Sequence, residues 1–158
     1  MNVNLRIDYL DEHMDAIPEL ARWHHAEWLE VTPDLSLADR IVGFRARARR
    51  GSVPTGFVAV IDRRVAGLAC LVACDIQSHC HLTPWLATVL VAPEHRGQGI
   101  GSALSRRAAD EARDLGISTL YLFTFDKQGF YARLGWAPFD EASYAGRRGS
   151  IMARDLAA

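Results

Sequence analysis

The pattern of apolar and polar residues divides the first half of the chain into a strand, two helices and a hairpin. VNLRIDYL alternates and predicts a first strand. In DAIPELARWHHAEWLEV, apolar residues recur at helical spacing from Ile17 to Trp28. After the break TPDLS, Ser36 and Asp39 can cap a second helix. The runs GFVAVID and VAGLACLVACD flank the turn formed by residues 62–63 and predict a hairpin.

In the second half of the chain, strand-like and helix-like segments follow one another. WLATVLVA predicts a strand, and the helical period returns from Ile100 to Leu115 until Gly116 ends it. STLYLFTF predicts another strand, DKQGFYARLG a short helix closed by Gly135, and SIMARDL a last strand. This order predicts one domain over residues 1–158, an α/β fold of the α+β type in which helices pack on a mixed sheet.

Three glycines, Gly97, Gly99 and Gly101, stand between a predicted strand and a predicted helix in VLVAPEHRGQGIGSAL. Because glycines at this density cost backbone entropy, they indicate a ligand that approaches the main chain closely. The unpaired N–H groups and the helix dipole favour an anion there, and Arg96 can add a charge-assisted hydrogen bond. The Walker and dinucleotide patterns both fail, because no lysine follows Gly101 and the spacing is G-x-G-x-G. R-x-x-G-x-G is the pattern that fits.

Composition and charge restrict the class of protein. The chain has 158 residues, of which 49% are hydrophobic and 23% charged, with a formal net charge of -1. This balance argues against a general nucleic-acid binder. No apolar run reaches the roughly 20 residues needed to cross a bilayer, and the N-terminus lacks an export pattern. We therefore expect a cytoplasmic protein with no nucleic-acid and no membrane partner.

The cysteines and a basic helix end are the remaining features with two interpretations. Three cysteines without an export signal predict reduced thiols. A zinc site near Cys74 and Cys80 lacks paired ligand spacing, so we expect no metal. Four arginines end the second predicted helix, where they suit the helix dipole, with phosphate binding as the alternative. They are Arg45, Arg47, Arg49 and Arg50.

Two stretches together resemble the GNAT superfamily of acyl-CoA N-acyltransferases. LATVLVAPEHRGQGIGSAL resembles its pyrophosphate-binding motif, and LYLFTFDKQGFYARLGW its following strand and helix, with FYARLGW in place of F-Y-x-x-x-G-F. The two motifs cover Trp85 to Trp136. The resemblance implies a mostly antiparallel sheet of about seven strands, splayed at the CoA site and flanked by about four helices.

The resemblance implies acetyl-CoA as co-substrate. Its pantetheine arm would pair with the strand before the glycine loop, and its pyrophosphate would lie on the loop. Asp126 is expected either to contact CoA or to cap the short helix, which is the favoured role. The residues expected to bind CoA are Val89, Leu90, Val91, Arg96, Gly97, Gln98, Gly99, Ile100, Gly101, Ser102, Asp126 and Phe130.

The family's reaction is the attack of an amine on a thioester. Tyr131 matches the family's helix tyrosine and is expected to protonate the leaving sulfur. Two positions depart from the family pattern: Thr124 replaces a common asparagine, and the glutamate often used as base is missing from LTPWLATVLV. Asp75 is the preferred base, and water can relay the proton instead. The other candidates are His24, Glu27, His79 and His81.

The acceptor is expected to enter between the first two helices and the strands around Asp75. Aromatic rings and carboxylates there suit an ammonium group, although core packing is the favoured role for each tryptophan and for His24. The expected acceptor-binding residues are Trp23, His24, Glu27, Trp28 and Trp85. We predict an N-acetyltransferase that acts on the primary amine of a small molecule or peptide in a ternary complex. The alternative is a non-catalytic acyl-CoA sensor, and a homodimer is left open.

Overall fold

The computed structural model describes residues 4–157, which form seven strands and four α-helices. The strands are β1 (Arg6–Tyr9), β2 (Thr55–Ile61), β3 (Arg64–Val72), β4 (Trp85–Val91), β5 (Thr119–Thr124), β6 (Ala137–Tyr144) and β7 (Arg147–Asp155). The helices are α1 (Ile17–Trp28), α2 (Leu37–Ala46), α3 (Ile100–Asp114) and α4 (Gln128–Ala132). Val3, which the prediction places in the first strand, lies outside the described residues.

All seven strands belong to one sheet in the order β1-β2-β3-β4-β5-β7-β6. Neighbouring strands are antiparallel except β4 and β5, which are parallel and share a single pair of facing residues, Trp85 and Tyr121. The predicted mixed, mostly antiparallel sheet is confirmed. The sheet opens between β4 and β5 beyond that one pair, as the family resemblance implies.

The two faces of the sheet carry different helices. Along β2, Phe57 belongs to one core cluster and Val58 to the other, because successive side chains of a strand point to opposite faces. The first cluster includes Leu104 of α3, and the second includes Leu20 of α1 and Phe44 of α2. The central strands are therefore buried on both faces, which explains their nearly continuous apolar runs.

Local signals in the sequence are confirmed where they concern turns and helix ends. The Ser36 hydroxyl accepts a hydrogen bond from the Asp39 N–H at 3.0 Å, and the Asp39 carboxylate accepts one from the Ser36 N–H at 3.0 Å. Asp62 and Arg63 have φ of 50° and 70°, as a tight hairpin turn requires. Both features fix where α2 and β3 begin.

Strand β6 is absent from the sequence prediction. Ala142 is its only buried residue, and most of the others are exposed. It forms one edge of the sheet and pairs only with β7. An exposed edge strand lacks the apolar alternation by which strands are recognised in sequence.

The prediction of three reduced thiols is wrong for two of them. Cys74 and Cys80 form a disulfide with a Cα–Cα distance of 5.1 Å, while Cys70 is free and buried. The two cysteines meet because the short 3-10 helix Gln77–His79 turns the chain between them. Within residues 4–157, no group of three or more histidine, cysteine or acidic side chains is arranged to hold a metal ion. None of the helices in this range has the length and apolar character of a membrane span.

Candidate active site

A bulge in β4 lies beside the opening of the sheet. Leu90 of β4 faces Leu68 of β3, but Ala87 faces Cys70, so β4 carries one extra residue between these pairs. Thr88 lies in this bulge with φ of 57°, a conformation that β-branched residues rarely adopt. Backbone strain of this kind concentrates at functional sites.

The edge of β4 that faces β5 is free beyond the start of the strand. The Tyr121 N–H donates to the Pro84 carbonyl at 3.1 Å, and in the described part of the chain no ladder continues past this point. Backbone N–H and C=O groups from Ala87 to Val91 therefore lack a neighbouring strand on this side. An extended, amide-bearing ligand can pair with such an edge.

The glycine loop connects β4 to α3. Gly97 and Gly99 have φ of 79° and 81°, in the left-handed region that favours glycine. Gly99 is the N-cap residue of α3 and offers no side chain to cap its first turn. The N–H groups of this turn are available to an anion. The sequence-based prediction of an anion-binding loop matches this backbone.

The second predicted motif lies against the glycine loop. A Cβ built on Gly101 would lie 3.6 Å from the Phe130 ring and 3.8 Å from a Val91 methyl. Arg96 donates to the Val91 carbonyl at 3.2 Å and lies 4.0 Å from Glu27 of α1. The loop, α4 and the end of α1 are thus neighbours.

A cavity of about 330 Å³ occupies the opening between β4 and β5. This volume falls within the range of small-molecule sites. The C-terminal end of α1 approaches the β5–α4 connection at this cavity, where the Trp28 and Phe125 rings are 6.0 Å apart. Seven of the predicted site residues line it: His24, Glu27, Trp28, Asp75, Val89, Asp126 and Tyr131.

Tyr131 brings a protonated hydroxyl to the cavity. It belongs to α4, is 9% exposed, and packs its ring against Phe130 and Trp136. Burial raises the pKa of Tyr131 to about 12. The phenol therefore keeps its proton throughout the neutral range, so it can donate a hydrogen bond, and then the proton, to a developing thiolate.

Asp75 brings a carboxyl group whose pKa is close to neutral. Desolvation raises the pKa of Asp75 to about 6, although the nearby Arg47 guanidinium lowers it. The residue is exposed and lines the cavity. A carboxylate with this pKa is mostly ionised at pH 7 and can accept a proton.

His24 does not fit the role of base. Its Nδ1 accepts a hydrogen bond from Arg40 at 2.9 Å. Burial, together with the charges of Arg40 and Arg47, lowers the pKa of His24 to about 3. An imidazole this acidic when protonated cannot take a proton from an ammonium group. His24 instead supports the wall of the cavity, with its ring 5.8 Å from that of Trp28.

Several predicted residues lie outside the cavity lining. Trp85 is fully buried and donates its indole N–H to the Leu82 carbonyl at 2.6 Å, so it is a core residue. Trp23 packs against the core beneath α1 and lines a separate shallow groove. His79 is paired with Asp140 at 3.0 Å. His81 is exposed and absent from the lining of this cavity.

The predicted capping role of Asp126 is wrong. No side chain in the described part of the chain caps α4. The Lys127 N–H instead donates to the Thr124 hydroxyl at 2.9 Å. Asp126 lines the cavity, which leaves the CoA contact as its predicted role.

Sequence reasoning missed six cavity residues outside its motifs. Arg47 is predicted only as part of a basic helix end that suits the dipole, with phosphate binding as the alternative, and Arg40 carries no local signal. Tyr144 ends the unpredicted strand β6, and burial together with the Asp75 charge raises its pKa. The six residues are Thr32, Leu35, Arg40, Arg47, Ile76 and Tyr144.

Comparison with solved structures supports the fold. The chain is similar to yncA from Salmonella typhimurium with its cofactor acetyl-CoA, with a TM-score of 0.75 and 18% identity over 98% of this chain and 95% of that chain. For an N-acetyltransferase from Staphylococcus aureus Mu50, the TM-score is 0.71 at 18% identity over 98% and 99%. Similarity at this level of identity establishes the fold alone.

A larger enzyme contains the same fold as one part. The chain is similar to N-acetylglutamate synthase from Neisseria gonorrhoeae, solved with coenzyme A and N-acetyl-glutamate, with a TM-score of 0.71 and 19% identity. The match covers 99% of this chain but 36% of that one. The family model described as acetyltransferase (GNAT) matches residues 17–136. Since this match spans most of the 158 residues, the chain belongs to the GNAT acetyltransferase family.

Proposed function

We propose that this protein transfers the acetyl group of acetyl-CoA to the primary amine of a small molecule or peptide, by direct attack in a ternary complex. The observation that carries the proposal is that Tyr131 and Asp75 line one cavity at the free edge of β4. The CoA ligands named for two similar structures support acetyl-CoA as the donor.

In this proposal, CoA binds along the free edge and the glycine loop. Pantetheine amides pair with the backbone of Val89, Leu90 and Val91, as an added strand does. The pyrophosphate oxygens accept hydrogen bonds from the N–H groups of residues 96–102, where the helix dipole favours negative charge. The thioester then lies in the cavity near the β4 bulge, where backbone N–H groups can stabilise the oxyanion.

The chemistry requires three proton transfers that the cavity can serve. Asp75 accepts a proton from the ammonium group, and the free amine attacks the thioester carbonyl to form a C–N bond. As the C–S bond breaks, Tyr131 gives its proton to the sulfur. The proton then lost from nitrogen restores the phenol, directly or through water. The products are the N-acetylated amine and CoA thiol, with one proton left on Asp75.

A thiol-release assay tests the proposal. Acetyl-CoA is incubated with the protein and a panel of amines, free CoA is detected with a thiol-reactive dye, and the acetylated amine is identified by mass spectrometry. We expect release that depends on both the protein and one class of amine. Binding of acetyl-CoA without release for any amine would contradict the transferase and favour the acyl-CoA sensor.

A further inference from the structure

Arg47 is a guanidinium group at the cavity that has no acidic partner. It follows the last residue of α2 and is partly buried. It donates to the Thr88 hydroxyl at 2.9 Å, touches the Cys70 sulfur, and lies 5.5 Å from the Phe44 ring centre. Among the described residues, no carboxylate oxygen comes within the 4.0 Å of an ion pair. Most of its five N–H donors therefore lack an oxygen acceptor.

Arg40, the other arginine of the cavity wall, differs in this respect. It is 2% exposed and gives five hydrogen bonds to His24, His25, Thr32 and Leu35. These acceptors come from α1 and from the connection to α2, so Arg40 holds the two helices together. Its donors are occupied, whereas those of Arg47 are available to a ligand.

The position of Arg47 limits what that ligand can be. Its partner Thr88 lies in the β4 bulge, beside the predicted position of the thioester. Asp75 lines the same cavity, close enough to interact with Arg47 electrostatically but beyond ion-pair distance. A positive and a negative group thus line one cavity at the proposed reaction centre without forming an ion pair. An α-amino acid carries the complementary pair of charges, separated by one carbon atom.

We propose that the acceptor is an α-amino acid, whose carboxylate binds Arg47 while its ammonium group lies at Asp75. This inference rests on the proposed function. A guanidinium binds a carboxylate through two parallel hydrogen bonds, which would place the adjacent amine beside the thioester. The aromatic rings of Trp28, Phe125 and Tyr144 line the rest of the cavity and favour an apolar side chain.

The test compares acceptors that differ only in the carboxylate. The standard amino acids are assayed beside their carboxamides, and each amino acid that reacts is also compared with its decarboxylated amine. We expect the amino acid to exceed both analogues in kcat/KM by about 10- to 100-fold, the size of a lost hydrogen bond to a charged group.

Variants then assign the effect to Arg47. Arg47→Gln removes the charge but keeps a donor for Thr88, and should raise KM for the amino acid by about 10- to 100-fold, with a much smaller change for the analogues. Arg47→Lys should recover part of the loss. Arg45→Gln is the matched control, because Arg45 lies on the same helix end but is exposed and outside the cavity. It should leave KM unchanged for the amino acid and for its analogues.

Several results would overturn the inference. Amides and plain amines used as well as amino acids would exclude a carboxylate subsite, and an equal loss for all acceptors in Arg47→Gln would give Arg47 a structural role. Unfolding in urea shows whether that variant is folded. Absence of thiol release with every acceptor would instead contradict the proposed function, so the two failures are distinguishable.

Discussion

The two sides of the proposed site differ in whether backbone or side chains form them. The proposed CoA side consists of β4, the adjoining glycine loop and the first turn of α3, one continuous segment whose backbone supplies most of the predicted contacts. The acceptor side consists of side chains from α1, α2, the segment after β3 and the end of β6, such as Trp28, Arg47, Asp75 and Tyr144. A site made of backbone leaves glycines in the sequence, whereas a site made of distant side chains leaves no local pattern.

The largest effect should come from Tyr131→Phe, which removes the proton donor where the two sides meet. We expect kcat to fall on the order of 10²-fold or more, the usual contribution of a general acid. Acetyl-CoA affinity, measured by calorimetry, should not change. Tyr121→Phe is the control, since Tyr121 packs against Trp85 outside the cavity lining. An unchanged kcat would remove Tyr131 from the chemistry.

Gly101→Val should affect the CoA side alone. A Cβ at Gly101 meets only ordinary contacts in the protein, so the helix can form, but the added methyl groups would stand where the pyrophosphate approaches. We expect acetyl-CoA to bind about 10- to 100-fold more weakly, through one lost charge-assisted hydrogen bond. Gly43→Val in α2, where a Cβ meets nothing within 4 Å, is the matched control. Gly99→Val should also block binding, but its φ of 81° adds backbone strain.

Asp75→Asn should affect the acceptor side alone. Because the pKa of Asp75 is raised to about 6, wild-type kcat/KM should rise with pH through this value and then level off. The variant should lose this dependence and about tenfold of its activity at pH 8, less than a full general-base contribution because water can relay the proton. Asp75→Asn with Glu27→Gln should raise KM for the acceptor far more than for acetyl-CoA. Equal losses for both substrates would place the acceptor elsewhere.

The Asp75 carboxyl group should lower the folding stability as the pH rises, whereas it should raise kcat/KM over the same pH range. Folding raises its pKa from 3.8 to about 6, so the folded state disfavours the ionised form. Its contribution to stability is therefore present below pH 3.8 and is lost as the pH rises through about 6. At pH 7, Asp75→Asn should melt at or above the temperature of the wild type. A lower melting temperature would mean that the carboxylate stabilises the fold.

The smallest effect is expected from Ser36→Ala, which removes the cap of α2. The free energy of unfolding should fall by about 1 kcal/mol, measured in urea. Acetyl-CoA affinity should stay the same, because no residue of α2 is among the predicted CoA contacts. Ser118→Ala, at an exposed position before β5, is the control. A loss of acetyl-CoA affinity in Ser36→Ala would show that the two sides are coupled.

This division also explains how far the sequence predicts the molecule. The glycine loop, six of the seven strands and all four helices carry local signals, and the structure confirms these elements. Strand β6 lacks these local signals, because an exposed edge strand need not alternate apolar and polar residues. Trp85 shows the limit on the acceptor side: only the path of β4 decides that its ring points into the core. Arg47 shows the reverse, since its charge suits a helix end and only the fold brings it to the cavity.

A crystal structure of the protein with CoA and an N-acetylated amino acid would show both halves of the proposed site at once. We predict pantetheine paired with Val89–Val91, the pyrophosphate on the N–H groups of residues 96–102, and the sulfur within hydrogen-bond distance of the Tyr131 hydroxyl. The acetylated nitrogen should lie between that sulfur and Asp75. CoA bound away from the β4 edge, or a sulfur remote from Tyr131, would contradict it.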